Sequence, residues 1–311
     1  MCYAEIRIYG APAVLCNYVL LGWFVGNQNT KILLLLLVST NLLNIVLDII
    51  AVVGLDMRAE GLAYATVISE YFGLLMAGYF ARKQLSKLAG AVYYKVLLSW
   101  RSYLPIIKVN QYLFVRTISL LLAMSFFTAQ GAKLGADVLA CNAVLMTFVM
   151  LISHVLDGFA HALEALVGKA IGEKDLTKFF EMFSAASICA VLVAIAFSVL
   201  FLLLGEPFIN LLTSIEAVRE NAYLYLPWLI LIPLIAVTSY LLDGVFIGAT
   251  QAKVMQNAML ISVFFVYFPV WHFSQSLANN GLWLSLCALY VARAVTSIYG
   301  FYKISSNQSW L

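Results

Sequence analysis

Nine apolar runs, each bounded by charged or turn-forming residues, follow one another along this chain: 4–26, 31–54, 61–83, 103–131, 137–168, 180–205, 219–248, 255–275 and 281–303. A bilayer core of about 30 Å is crossed by roughly 20 mostly apolar residues in a helix. The runs are about twice as long as a barrel strand requires and lack its alternation of apolar and polar residues. The expected fold class is therefore all-α, a polytopic membrane protein with nine transmembrane helices. Composition points the same way, with 64% of residues apolar and 11% charged, against roughly 45–50% and 25% in soluble domains.

The formal charge of +3 is small and dispersed, which argues against nucleic acid as a partner. Trp, Tyr and Phe are scattered as interfacial anchors and lipid-facing packing would scatter them. Cys2, Cys16, Cys141, Cys189 and Cys287 stand singly on apolar stretches, without the spacing of a metal site or disulfide framework. No cofactor is expected beyond a coupling ion. The opening MCYAEIRIYG has no basic segment leading into an apolar core and a small-residue cleavage site, so the first helix is expected to stay in the mature protein. A nucleophile with its base, a GxGD pair and an HExxH motif are all missing from the sequence, and an enzyme is not expected.

Alternating the loops between two sides puts Lys31, Arg82, Lys83, Lys87, Lys95, Arg101, Lys169, Lys174, Lys178, Lys253 and Lys303 on one side and only Arg7, Arg58, Lys133 and Arg219 on the other. The richer side is expected to be cytoplasmic, with the C-terminus there and Met1 outside. Lys108 lies near enough to a helix start to snorkel to the interface.

The chain also resembles itself. Tyr18, Leu20, Gly22, Phe24, Gly26 and Lys31 recur as Tyr240, Leu242, Gly244, Phe246, Gly248 and Lys253, an offset of 222, and Gly61, Leu62, Tyr79 and Lys83 recur as Gly281, Leu282, Tyr299 and Lys303, an offset of 220. The first three helices thus match the last three, the middle three have no partner, and three helices are expected before Met1 in a complete molecule of two six-helix halves. On this reading residues 1–83 are the last three helices of an N-lobe, 84–102 a cytoplasmic link and 103–311 a six-helix C-lobe. The basic residues of the link are either a solvated topology signal or a contact for anionic lipid heads.

An acid within the hydrocarbon is costly enough to suggest function. Asn44 and Asp48, four apart in NLLNIVLD, share a helix face. Asp48 and Thr66 are each nine residues from Met57 at the centre of the following loop, roughly 13 Å from it at 1.5 Å per residue and so near the midplane. Carboxylate, amide and hydroxyl could there bind a small cation, or the carboxyl a proton; interhelical glue is the alternative. The repeat-related positions Val266, Val270 and Leu286 are apolar. In the second half, Asp157, Glu164 and Asp243, with His154, His161, Arg116 and Arg293 nearby, could form a substrate cavity or proton relay, or neutralise one another as a structural network.

These residues carry a family resemblance. LLGWFVGNQ from Leu20, NLLNIVLDI from Asn41, EGLAYATVISEY from Glu60, ACNAVLMT from Ala140, LDGFAHALEA from Leu156 and YLLDGVFIGAT from Tyr240 together resemble the DinF branch of the MATE (multidrug and toxic compound extrusion) family, along nearly the whole chain. The resemblance implies a twelve-helix, monomeric transporter of a bacterial inner membrane that exports cationic or amphipathic organic compounds in exchange for H⁺ or Na⁺. It also implies that the Asn, Asp and Thr of the family's N-lobe cation site fall on Asn44, Asp48 and Thr66. The family's further acid lies on its first helix, one of the three expected before Met1, so the resemblance implies only part of that cation site here. A lipid-linked oligosaccharide flippase of the same superfamily, or an incomplete and inactive product, are the alternative expectations.

Overall fold

A computed structural model describes residues 3–87, 98–307 and Trp310; Met1, Cys2 and Lys95 lie outside the described residues. Nine helices follow in order among the described residues: α1 Tyr3–Gly26, α2 Thr30–Gly54, α3 Ala59–Leu85, α4 Trp100–Lys133, α5 Ala136–Gly172, α6 Leu176–Leu212, α7 Glu216–Gly248, α8 Ala252–Leu277 and α9 Asn279–Ser306. All but α3 are long and apolar enough to cross a membrane. The chain divides into two compact units, Met1–Val96 and Leu97–Leu311.

In the first unit α3 packs on both α1 and α2. Its 27 residues suffice in length, but Glu60, Glu70, Arg82 and Lys83 make it less apolar than the others. Every fourth residue of its buried face is small, from Gly61 through Ala65, Ser69, Gly73 and Ala77 to Ala81. Small residues at that spacing let helix backbones approach closely where lipid supplies no hydrophobic drive.

In the second unit α7 is central, packing on α5, α6 and α9. Gly244 and Gly248 lie against the α5 backbone at Ala160 and Glu164. Two prolines, Pro227 and Pro233, sit inside α7, and beside them the Ser198 hydroxyl of α6 donates to the Ile230 carbonyl at 2.8 Å, the kind of side-chain support that lets membrane helices keep proline. A buried amide pair links α5 to α9: Asn142 Nδ2 donates to Asn279 Oδ1 at 2.7 Å, Asn279 Nδ2 returns a bond at 3.0 Å, and Trp283 Nε1 donates to Asn142 Oδ1 at 3.0 Å. On α6, Leu192, Leu202, Leu203 and Leu211 are exposed, an apolar face suited to lipid. That helix runs seven residues beyond its expected end at 205, because Pro207 is tolerated within it.

The internal repeat is visible in the backbone. Gln28 and Thr250, 222 positions apart, both have φ of 56°. Asn29 N donates to Phe24 O at 3.0 Å and Gln28 N to Val25 O at 2.8 Å; Gln251 N donates to Phe246 O at 2.7 Å and Thr250 N to Ile247 O at 2.9 Å. The same left-handed helix end therefore closes α1 and α7. Asp56 and Ala278, again 222 apart, both have positive φ before α3 and α9. The symmetry breaks in the π-helical turns, which fall at Ile50–Gly54 in α2 and at Ile261–Tyr267 in α8.

Candidate functional site

The first unit brings two of its three expected ligands into contact. Asn44 Nδ2 on α2 donates to Thr66 Oγ1 on α3 at 3.5 Å, and the Thr66 hydroxyl donates onward to the Leu62 carbonyl at 2.8 Å. Asp48 lies one turn from Asn44 on the same face and two residues before the π-helical turn. All three are half-buried. The Asp48 Oδ1 atom is buried with no hydrogen-bond partner, so it is an acceptor without a donor in a region where such groups are costly.

One acid escaped the sequence reading. Glu70 is one turn beyond Thr66 on α3, accepts from Arg7 Nη1 of α1 at 2.8 Å, and its main-chain carbonyl accepts from Asn17 Nδ2 at 2.9 Å. Its other carboxylate oxygen is buried and unpartnered, and lies over Gly10, where any Cβ would overlap it. The signal was present: an acid within an apolar run, four residues from Thr66.

The second unit separates its three acids. Asp243, 7% exposed, is gripped by Arg116 Nη2 from α4 and by Arg293 Nη2 from α9 at 2.8 Å, both on Oδ2. Arg293 also lies over the rings of Tyr240 and Tyr290, 5.4 and 5.9 Å from their centroids, and the Tyr240 hydroxyl donates to Ser153 Oγ at 2.7 Å. Asp157 lines a cavity of about 540 Å³ whose wall also includes Arg116, Arg293, Tyr240, Tyr290 and Asn142. Glu164 is not on that wall; its carboxylate meets His161 Nδ1 at 3.4 Å. His154 Nδ1 shares a hydrogen bond with the Met150 carbonyl at 2.6 Å. Among the described residues no three His, Cys, Asp or Glu side chains gather as a metal site.

A family model described as MatE matches residues 112–271. The chain is 39% identical over 309 residues to DNA damage-inducible protein F of Escherichia coli K12, across 99% of this chain and 67% of that protein. The chain belongs to the MATE family. As a member of this transporter family it is a multi-pass membrane protein, and the matched segment runs from α4 into α8, so it takes in Arg116, Asp157 and Asp243 but not Arg293. Another relative, Protein DETOXIFICATION 43 of Arabidopsis thaliana, is 27% identical over 299 residues, 95% of this chain and 55% of that protein. The chain thus spans about two thirds of the bacterial relative and about half of the plant one. Among solved structures, an outward-facing multidrug resistance MATE family transporter superposes with a TM-score of 0.88 at 20% identity, over 99% of this chain and 70% of that one. A MOP superfamily transporter from Pyrococcus furiosus gives 0.89 at 21%, over 98% and 69%. At those identities the likeness establishes the MATE fold of this chain.

Proposed function

We propose that the chain works in secondary active transport, exporting small amphipathic organic compounds across a bacterial inner membrane in exchange for H⁺ or Na⁺. In this reading Asn44, Asp48 and Thr66 bind the coupling ion, residues 1–83 and 103–311 belong to two lobes joined by 84–102, and the C-terminus is cytoplasmic. The observation that carries it is the buried, unpartnered Oδ1 of Asp48 next to the Asn44–Thr66 bond. A proton or a small hard cation is what such an oxygen lacks. Substrate would occupy the cavity walled by Asp157, with Asp243 behind it and Glu164 outside it.

The test is gradient-driven flux. The chain reconstituted into lipid vesicles is expected to move a fluorescent amphiphile when a pH or Na⁺ gradient is imposed, and Asp48→Asn is expected to abolish the dependence on that gradient. Full gradient-driven flux in Asp48→Asn would remove Asp48 from the coupling role. A second reading, flipping of a lipid-linked oligosaccharide, is favoured by one observation, the presence of Arg116 and Arg293 on the cavity wall; saturable binding of an isoprenyl pyrophosphate tests it.

A further inference from the structure

A different cavity lies at one end of the second unit, where the N-terminal turns of α4 pass the turn from α7 to α8. It has a volume of about 610 Å³, and Lys108, Asn110 and Tyr112 of α4 line it together with Thr250, Gln251 and Lys253. The wall carries two ammonium groups and no Asp or Glu among the described residues. Neither lysine has an ion-pair partner among the described residues. The N-terminus of α8 reaches the same wall through Gln251, and no side chain caps it, so the helix dipole adds to the positive potential there.

The level of this cavity is the membrane interface. Lys253 stands at the start of α8, a span of 26 residues, and Thr250 and Gln251 belong to the turn that precedes it. The 34 residues of α4 reach about 51 Å at 1.5 Å per residue, well beyond a bilayer core of about 30 Å. Because Lys108 shares a cavity with the start of α8, the two turns of α4 before it extend past the hydrocarbon. Trp100 and Tyr103 are exposed on those turns, and such side chains hold a helix in the headgroup layer. Both ammonium groups thus sit where lipid phosphates sit. Pro105, Ile106 and Val109 complete the wall, an apolar flank for glycerol and the first methylenes of an acyl chain.

We propose that this cavity binds the head of an anionic phospholipid, with the phosphate between Lys108 and Lys253 and the side-chain donors of Asn110 and Tyr112 beside it. Two flexible ammonium groups suit a phosphodiester, which asks for charge and not for a planar fork. A zwitterionic head would bring its own cation against the same two lysines, so the site favours lipids with a net negative charge. A bound head would tie the start of α4 to the turn between α7 and α8. The site shares no lining residue with the cavity walled by Asp157, and it does not depend on what that cavity carries.

The experiment titrates the purified full chain in detergent micelles with phosphatidylglycerol or phosphatidylcholine of identical acyl chains, and counts bound lipids by native mass spectrometry. At the first site filled, phosphatidylglycerol is expected to bind about tenfold or more tightly than phosphatidylcholine. Lys108→Gln combined with Lys253→Gln is expected to remove that preference, whereas Lys108→Arg combined with Lys253→Arg keeps it. Lys174→Gln combined with Lys303→Gln removes the same charge elsewhere and is expected to leave the preference in place. All four lysines are exposed, and an unchanged melting profile checks that the variants fold. Equal binding of the two lipids overturns the proposal, as does a preference that survives Lys108→Gln with Lys253→Gln or falls equally in the Lys174 and Lys303 pair. Displacement of phosphatidylglycerol by inorganic phosphate, but not by chloride at equal ionic strength, would assign the site to a free anion and overturn the lipid. Retention of the lipid in inorganic phosphate supports it.

Discussion

Gly248 of α7 lies so close to Glu164 of α5 that a Cβ on it would stand 2.5 Å from the Glu164 carbonyl oxygen and 3.1 Å from its Cα. Gly244, one turn earlier, meets the Ala160 backbone still more closely. Their counterparts at the offset of 222, Gly22 and Gly26, have open space among the described residues where a Cβ would go. Gly244→Ala and Gly248→Ala are therefore expected to push α5 and α7 apart and lower stability by about 1–3 kcal/mol, whereas Gly22→Ala is expected to be neutral or stabilising by up to about 1 kcal/mol. Thermal unfolding in detergent, followed by tryptophan fluorescence, separates the two pairs.

Asp243 holds two guanidiniums, of which Arg293 is 3% exposed and Arg116 half-buried. Asp243→Asn removes the carboxylate bonded to both and is expected to destabilise the chain by about 3–5 kcal/mol. Adding Arg293→Gln to Asp243→Asn should recover part of that loss, since it removes a stranded charge. A double-mutant cycle measured by chemical denaturation gives the coupling directly. Simple addition of the two single losses would show that the ion pair is not the source of the effect.

The coupling ion has its own signature in stability. If Na⁺ binds at Asp48, a hundredfold excess over its Kd raises native-state stability by about 2.7 kcal/mol, and this gain is expected to vanish in Asp48→Asn and to shrink in Asn44→Ala and Thr66→Val. Melting curves in Na⁺ against choline chloride make the comparison. A chain indifferent to Na⁺, with flux that follows a pH gradient and stops in Asp48→Asn, would assign the proton instead.

Thr250 is a β-branched residue at a φ of 56°, a conformation that only glycine adopts without cost. Thr250→Gly is expected to raise stability by about 1 kcal/mol, and Thr250→Val to lower it or leave it unchanged. Differential scanning fluorimetry would register either shift. A melting temperature that falls in Thr250→Gly would mean that the threonine side chain makes a contact worth more than the strain.

Much of the molecule is legible along one dimension. A run of about 20 apolar residues is a property of consecutive positions, and so the nine helices and their order follow from it. The offset of 222 is equally linear, and it reappears as the matched helix ends at Gln28 and Thr250. The face shared by Asn44 and Asp48 follows from helical periodicity alone. Glu70 is legible by the same rule as Asp48, an acid within an apolar run, although its position is not symmetric with Asp48 about the loop near Met57.

The order of residues alone thus specifies a membrane as solvent, the helical class, the repeat at an offset of 222 and the small set of acids that fall within apolar runs. Only the tertiary structure decided which of those acids are already neutralised. Asp243 is separated by 127 residues from Arg116 and by 50 from Arg293, and Glu164, two turns from Asp157 on one helix, meets His161 and is not on the cavity wall. The physical reason is that a buried charge is governed by its nearest neighbours in space. Those neighbours are set by which helices pack together and how each is rotated, a choice made by contacts as local as Gly248 against Glu164.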